Sequence, residues 1–325
     1  MAKFIIKRVL WMIPVLLGVI LIVFIITRLT PGDPVAAVLG SNYTQEQYEQ
    51  KKAEMGLDKP YPVQFVLYVK NLVTKFDLGT SYQSRRSVGD ELLARFPTTL
   101  ALGLLGVIVT ALIGIPLGIV AATHQNSFFD YLVTTISMFF ASMPNFWMAL
   151  MMIIIFSLNL KLVPATGLGT WKAWILPILS LGLSPVASVT RMTRSSMLEV
   201  IRQDYIRTAR AKGLEERVVI RKHALKNALI NVVTVIGMQL SMIMGGSVIV
   251  ESIFAIPGIG TYMMQGINSK DFPVVQGCVL IIALSVCIMN LLVDLVYGFI
   301  DPRIMAQYTA GKGRKKNDDS AKEAA

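Results

Sequence analysis

The sequence predicts an all-α polytopic membrane protein with six transmembrane helices and a small external helical subdomain. Three observations predict it. Hydrophobic residues make up 54% of the 325 residues and charged residues only 16%, against roughly a quarter charged in soluble domains. The apolar residues fall in long blocks nearly free of charge, which read as bilayer spans. The basic residues gather in a few connections, the asymmetry that orients membrane proteins.

The elements follow in chain order. Lys3, Lys7 and Arg8 precede an apolar run at 9–26. The run is longer than the core of a cleaved signal peptide. It is followed by Arg28-Leu29-Thr30-Pro31 instead of a small-residue cleavage site, so residues 1–29 are the N-terminus and an uncleaved first span. Residues 30–98 form the external subdomain. Thr44-Gln45-Glu46-Gln47 is a capping box that opens a helix stopping near Gly56. Pro60 and Pro62 introduce a second helix, with Val63, Val66, Val69, Leu72, Val73 and Phe76 on one stripe. Asp77-Leu78-Gly79-Thr80-Ser81 is a turn, and Ser87-Val88-Gly89-Asp90 opens a helix running towards the second span.

Residues 99–305 hold the other five spans, at 100–122, 132–158, 175–189, 229–254 and 274–300. Pro116 in the second is a packing kink, whereas Pro144 in the third fits either a kink or a hinge. The fourth is short, contains Pro177 and Pro185, and continues helically towards Met197. Gly114-Ile115-Pro116-Leu117-Gly118 and Gly245-Gly246 are points of close helix approach, used by default within the chain.

Orientation comes from Lys/Arg placement. The connection at 190–228 holds Arg191, Arg194, Arg202, Arg207, Arg210, Lys212, Arg217, Arg221, Lys222 and Lys226, opposed only by Glu199, Asp204, Glu215 and Glu216. It therefore faces the cytoplasm, with both termini. The polar tail at 306–325 is expected to be disordered.

Several function classes are excluded. The net charge of +11 sits in cytoplasmic connections without interleaved aromatic residues, so it serves lipid and orientation and not nucleic acid. Cys278 and Cys287 share one apolar block and read as small core residues. His124 and His223 lie in or near loops, and no zinc-protease, nucleophile-elbow or phosphate-loop motif is present. A membrane-embedded hydrolase or an ATPase is thereby disfavoured. A passive channel would need neither the long basic connection nor the external segment.

The informative stretch is Asp204-Tyr205-Ile206-Arg207-Thr208-Ala209-Arg210-Ala211-Lys212-Gly213-Leu214. It reads as a short helix stopped by Gly213. Tyr205, Ile206, Ala209 and Gly213 share a small, flat face, and Arg207, Arg210 and Lys212 flank it. Periodicity alone fits a helix docking into a groove on another protein or one lying on anionic lipid. Residues 218–229 form a second amphipathic helix leading into the fifth span.

This stretch resembles the signature loop of bacterial ABC-importer permeases, in the form found in the peptide/nickel branch. The generic importer pattern is Glu-Ala-Ala, three residues, Gly; here Arg207, Thr208, Ala209 and Gly213 stand there. Where the generic pattern has Ile-x-Leu-Pro, this chain has His223, Ala224, Leu225 and Lys226. Both departures match the branch's own usage. So do Thr30-Pro31-Gly32-Asp33-Pro34, Arg191-Met192-Thr193-Arg194-Ser195, Glu251-Ser252-Ile253-Phe254 with Pro257-Gly258-Ile259-Gly260, Asp271-Phe272-Pro273-Val274-Val275-Gln276-Gly277, and Asp301-Pro302-Arg303. The long external segment resembles that of the first of two paired permeases.

The resemblance implies a type-I importer permease fold. It also implies a second homologous permease, two ABC ATPase subunits, and an external solute-binding protein that delivers the cargo. Tyr205, Ile206, Arg207, Thr208, Ala209, Arg210, Gly213 and Leu214 become the expected ATPase-coupling residues. No cofactor or metal is expected on this chain; ATP and Mg2+ are used by the partner subunits. The implied cargo is a di- or oligopeptide, with nickel or a chelated metal as the alternative. The external subdomain either contacts the binding protein or covers the outer mouth of the pathway. Polar residues in the spans, Ser142, Asn145, Gln239, Ser241, Glu251 and Asn290, are pathway candidates; the alternative for such groups, including Asp294, is interhelical hydrogen bonding or snorkelling.

Overall fold

A computed structural model describes residues 2–40 and 42–300, and among these it is helical throughout apart from loops. The expected tail at 306–325 and the Asp301-Pro302-Arg303 motif lie outside the described residues. Helix α1 (Ala2–Leu29) is the first span. Three short helices follow: α2 (Pro34–Leu39), α3 (Gln45–Glu54) and α4 (Tyr61–Lys75). The caps read from the sequence form. Thr44 Oγ1 accepts the Gln47 N–H, and the Gln47 side chain accepts the Thr44 N–H. Asp33 caps α2 by accepting the Val35 N–H at 2.8 Å, and its other oxygen accepts the Tyr48 hydroxyl at 2.7 Å. That hydrogen bond pushes the Tyr48 phenol up to about 12, so it remains a donor at physiological pH.

The face of α4 departs from the expected stripe. Val69 and Leu72 do turn inward, but they do so with Phe65 and Tyr68. Val63, Val66, Val73 and Phe76 are exposed. The reason is the aromatic contact: the Phe65 ring meets Phe24 of α1 edge-on at 5.3 Å. The packed ring pair, and not the stripe, sets which side is buried.

Helix α5 (Val88–Thr123) is one unbroken element of 36 residues, about 54 Å long. It runs from the external segment through the second span without a break at Pro97 or Pro116. The third expected span is not one straight helix. It is α6 (Phe128–Ser142) and α7 (Asn145–Met152), the latter prolonged by a π-helical stretch at Ile153–Asn159, with a 97° bend between the pair. Pro144 causes the break: it has no N–H to donate, and it drives Met143 to an extended φ −84°, ψ 126°. The fourth span bends by 51° between α8 (Ile175–Leu183) and α9 (Val186–Ile201), again at a proline, Pro185. Next come α10 (Asp204–Ala211) and α11 (Glu216–Val218). A π-helical turn at Val219–Ala224 then leads into α12 (Leu225–Ile253). The amphipathic stretch and the fifth span are thus one run from Glu216 to Ile253, and the fifth helix starts well before position 229. Helix α13 (Ile259–Asn268) and the last span, α14 (Phe272–Ile300), complete the chain. Among the described residues four helices are long and apolar enough to cross a bilayer, and up to six spans result if each bent pair counts as one.

Small residues set the packing. A Cβ at Gly114 would lie 2.9 Å from Val189 Cβ, and one at Gly118 would collide with Thr193. Thr190 Oγ1 donates to the Gly114 carbonyl at 3.3 Å, and Thr110 Oγ1 to the Gly182 carbonyl at 2.7 Å. The Gly-xxx-Gly pair therefore joins α5 to α9 within the chain. The apolar core joins α5, α7, α8 and α12 through Leu102, Met148, Leu176, Leu181 and Ile243.

Candidate functional site

Helix α9 ends in a turn at 202–203, and α10 folds back beneath it. Ile206 and Ala209 are buried, packed with Met197, Val219, Ala224 and Ala228. These two residues were expected on a docking face; the structure turns them into the protein instead. The reason is apolarity: they are the two positions at helical spacing that can fill the gap beneath α9 and the π turn, and burying them removes that area from water. The opposite side of α10 is open, with Tyr205, Arg207, Thr208 and Arg210 exposed, and Gly213 and Leu214 follow it at the surface.

The exposed side is held in place by polar contacts. Asn227 Nδ2 donates to the Tyr205 hydroxyl oxygen at 2.8 Å. Arg210 makes a two-pronged ion pair with Glu216, Nε to Oε2 at 3.0 Å and Nη2 to Oε1 at 2.6 Å. That bond raises the Arg210 pKa further above its ordinary value. Gly213 sits at φ +77° with no atom near its missing Cβ; it ends the helix in a left-handed conformation open to the surroundings.

A second ion pair fixes the same end of the bundle. Arg194 of α9 donates from Nε to Asp130 Oδ1 at 2.7 Å and from Nη2 to Asp130 Oδ2 at 2.6 Å. Asp130 is in the first turn of α6, where the Asn126 N–H also donates to it at 3.0 Å. The broken span α6–α7 is thereby clamped to the helix that carries α10. Asp130 was not legible as a functional residue, because its partner lies 64 positions away and nothing local marks it.

The pathway candidates scatter. Glu251 is fully buried. Its Oε2 accepts the Gly260 N–H at 2.7 Å and the Thr261 N–H at 3.3 Å, and Thr99 Oγ1 accepts the neighbouring Ile259 N–H at 2.9 Å. Glu251 and Thr99 thus satisfy the first free amides of α13, where negative charge is favoured. Glu251 was expected among the pathway residues; the bonds it makes here are those of a cap. Ser241 is buried and donates to Asn290 Oδ1 at 2.9 Å, joining α12 to α14. Ser142 is exposed beside the Pro144 break and bonds its own helix. Asn145, just past the break, approaches α12 at Gly246. Gln239 is half-buried on α12.

One face of α12 was missed. Met238, Met242 and Ile249 are 58%, 71% and 52% exposed, and Gly245 between them faces open space. The spacing of three or four residues makes this a single stripe along a helix otherwise packed on α5, α7, α8, α9, α13 and α14. Gly245 was expected to pack closely within the chain and instead meets no neighbour; the signal of the stripe was two methionines and a glycine at helical spacing. Among the described residues no group of three or more His, Cys, Asp or Glu side chains could hold a metal ion.

Comparisons with known proteins bear on both ends of the molecule. Residues 114–306 match the family described as "Binding-protein-dependent transport system inner membrane component", and residues 1–103 match "Binding-prot-dependent transport system membrane comp, N-term". The chain is 42% identical to the dipeptide transport system permease protein DppB of Alkalihalophilus pseudofirmus, over 94% of this chain and 99% of that protein. It is 40% identical to DppB of Escherichia coli K12, with the same coverage. Among solved structures, an inward-facing MetNI methionine ABC transporter chain superposes with a TM-score of 0.57 at 20% identity, covering 65% of this chain and 96% of that one; this likeness concerns the fold. Helices, spans and family agree that the chain is a multi-pass membrane protein with the type-I importer permease fold. The chain belongs to the family of inner-membrane components of binding-protein-dependent transport systems, the permeases of ABC importers.

Proposed function

We propose that this permease carries di- or oligopeptides, and that α10 is the element through which ATPase subunits drive it. The observation that carries the proposal is the two-sidedness of α10. Ile206 and Ala209 root it in the permease, while Tyr205, Arg207, Thr208, Arg210, Gly213 and Leu214 remain open. Such a helix transmits a push: force on the open side passes through buried contacts to α9 and α12. Relatives at 40–42% identity over nearly the whole chain are named dipeptide permeases, which favours peptide over nickel.

On this reading α10 and both termini face the cytoplasm, and residues 30–98 form the external subdomain. The Met238–Met242–Gly245–Ile249 stripe faces a second, homologous permease across the path, with Asn145 and Gln239 at its edge. An external binding protein delivers the peptide. Two partner ATPases bind and hydrolyse ATP with Mg2+, and this chain performs no catalysis of its own.

Gly213→Glu tests the coupling, with Gly213→Ala as the control for backbone strain. The Glu variant should insert normally but lose ATPase association, while the Ala variant should keep it. Equal association of both with the ATPase would contradict the assignment of α10. Uptake by proteoliposomes holding the assembled importer, with binding protein outside and ATP inside, tests the cargo: a labelled dipeptide should enter in an ATP-dependent manner, and ATP-dependent entry of Ni2+ without peptide entry would contradict the peptide reading.

A further inference from the structure

An open groove lies beside α10, away from the α12 stripe. It is a groove of about 590 Å3 between α5 and the run that leads into α12. Pro116, Ile119, Val120 and Thr123 form one wall; Ile220 and Leu225 form the other, with Glu216, Arg217 and Arg221 at the rim. Three features bear on what fills it.

First, its walls are aliphatic, and one of them belongs to a helix long and apolar enough to cross a bilayer. The α5 wall lies in the last two turns of a span, so the groove rises about 10 Å along the helix from its end. With α10 on the cytoplasmic side, as proposed above, that end of the span stands at the level of lipid headgroups and the first acyl carbons. Second, its rim is cationic. Arg217 and Arg221 are exposed and form none of the ion pairs found among the described residues. The one acid there, Glu216, is taken by the two-pronged bond from Arg210, so the rim keeps its positive charge. Third, the groove is built in. The π-helical turn Val219–Ala224 widens the helix at Ile220, and Val219 and Ala224 are buried on its far side.

We propose that this groove binds one anionic phospholipid, its phosphate held by Arg217 and Arg221 and one acyl chain laid along Pro116, Val120 and Ile220. Guanidinium groups pair with phosphate in two-pronged fashion. The lipid would fill the space between a span and the segment that bears α10, and so brace the root of α10.

The test uses the full chain in detergent, with native mass spectrometry and thermal unfolding as readouts. Phosphatidylglycerol is titrated against phosphatidylcholine. The wild-type chain should retain one phosphatidylglycerol in preference to phosphatidylcholine and unfold at higher temperature with it. Arg217→Gln with Arg221→Gln should lower that preference roughly tenfold or more. Val120→Trp, which fills the acyl wall but keeps both arginines, should lower retention of both lipids. Free glycerol phosphate should not substitute for the lipid. An unchanged preference in the double Arg variant, or equal retention of the two lipids by the wild type, would overturn the proposal. So would full protection of Arg217 and Arg221 by a second permease chain in the assembled complex.

Discussion

Glu251 shows how one side chain can be placed by the backbone it caps. It lies at the end of α12, and the chain returns to it through Ile256 and Gly258 to begin α13. A Cβ at Gly258 would collide with its carboxylate, and one at Gly260 with the Val248 backbone; both positions exclude a side chain so that the carboxylate can reach the amides. Glu251→Ala would strand the Gly260 and Thr261 N–H groups in a buried place, at a cost of about 1–3 kcal/mol. It should lower the thermal unfolding midpoint in detergent, while Glu251→Gln, which keeps an accepting oxygen, should lower it less. An unchanged midpoint in the Ala variant would mean that the cap is dispensable. The sequence marked Glu251 as exceptional, since an ionisable residue in a span is costly. It could not reveal the role, because the partners are amides brought near by a turn and amides leave no trace in residue identity. The capping box at Thr44 was legible for the opposite reason: donor and acceptor lie three residues apart.

Among the elements, the broken third span and its clamp matter most. Pro144 was readable as a kink or a hinge, and the 97° bend settles on a break. The sequence could not supply the angle, which depends on α7 packing against α8 and α12. The Arg194–Asp130 pair fixes the other end of α6 to α9. Removing one partner of a buried pair costs about 3–5 kcal/mol; Arg194 is 30% exposed, so Arg194→Ala should cost less, about 2 kcal/mol. The charge-exchanged double variant, Asp130→Arg with Arg194→Asp, should recover part of the unfolding midpoint lost by either single change. No recovery would show that the geometry, and not the pairing of charges, is what holds the helices. Ile206→Asp, which buries an unpaired charge under α10, should destabilise the chain and disturb ATPase binding together, whereas Arg207→Glu on the open side should reduce binding and leave the midpoint unchanged. A common fall in both variants would erase the distinction between root and surface.

For the whole molecule, the order of spans, the membrane class and the position of the basic connection followed from apolar blocks and charge placement, which are properties of composition along the chain. The faces of the helices did not. Phases at α4, α10 and α12 were set by neighbours: the Phe24 ring for α4, the space under α9 for α10, and the surrounding helices for α12. In α10 the residues expected on the working surface were partly those that the fold consumed, Ile206 and Ala209. What remained outside, a basic face on α10 and a methionine-glycine stripe on α12, is where a permease of this family can still meet other chains. The α10 face is tested most directly by site-directed cross-linking in a background with Cys278 and Cys287 replaced. A cysteine at Thr208 should cross-link to a co-expressed ATPase subunit, and the yield should change when ATP is added, while a cysteine at buried Ala209 should give none. Cross-linking at Ala209 but not Thr208, or lipid contact with no ATPase adduct at Thr208, would contradict the account.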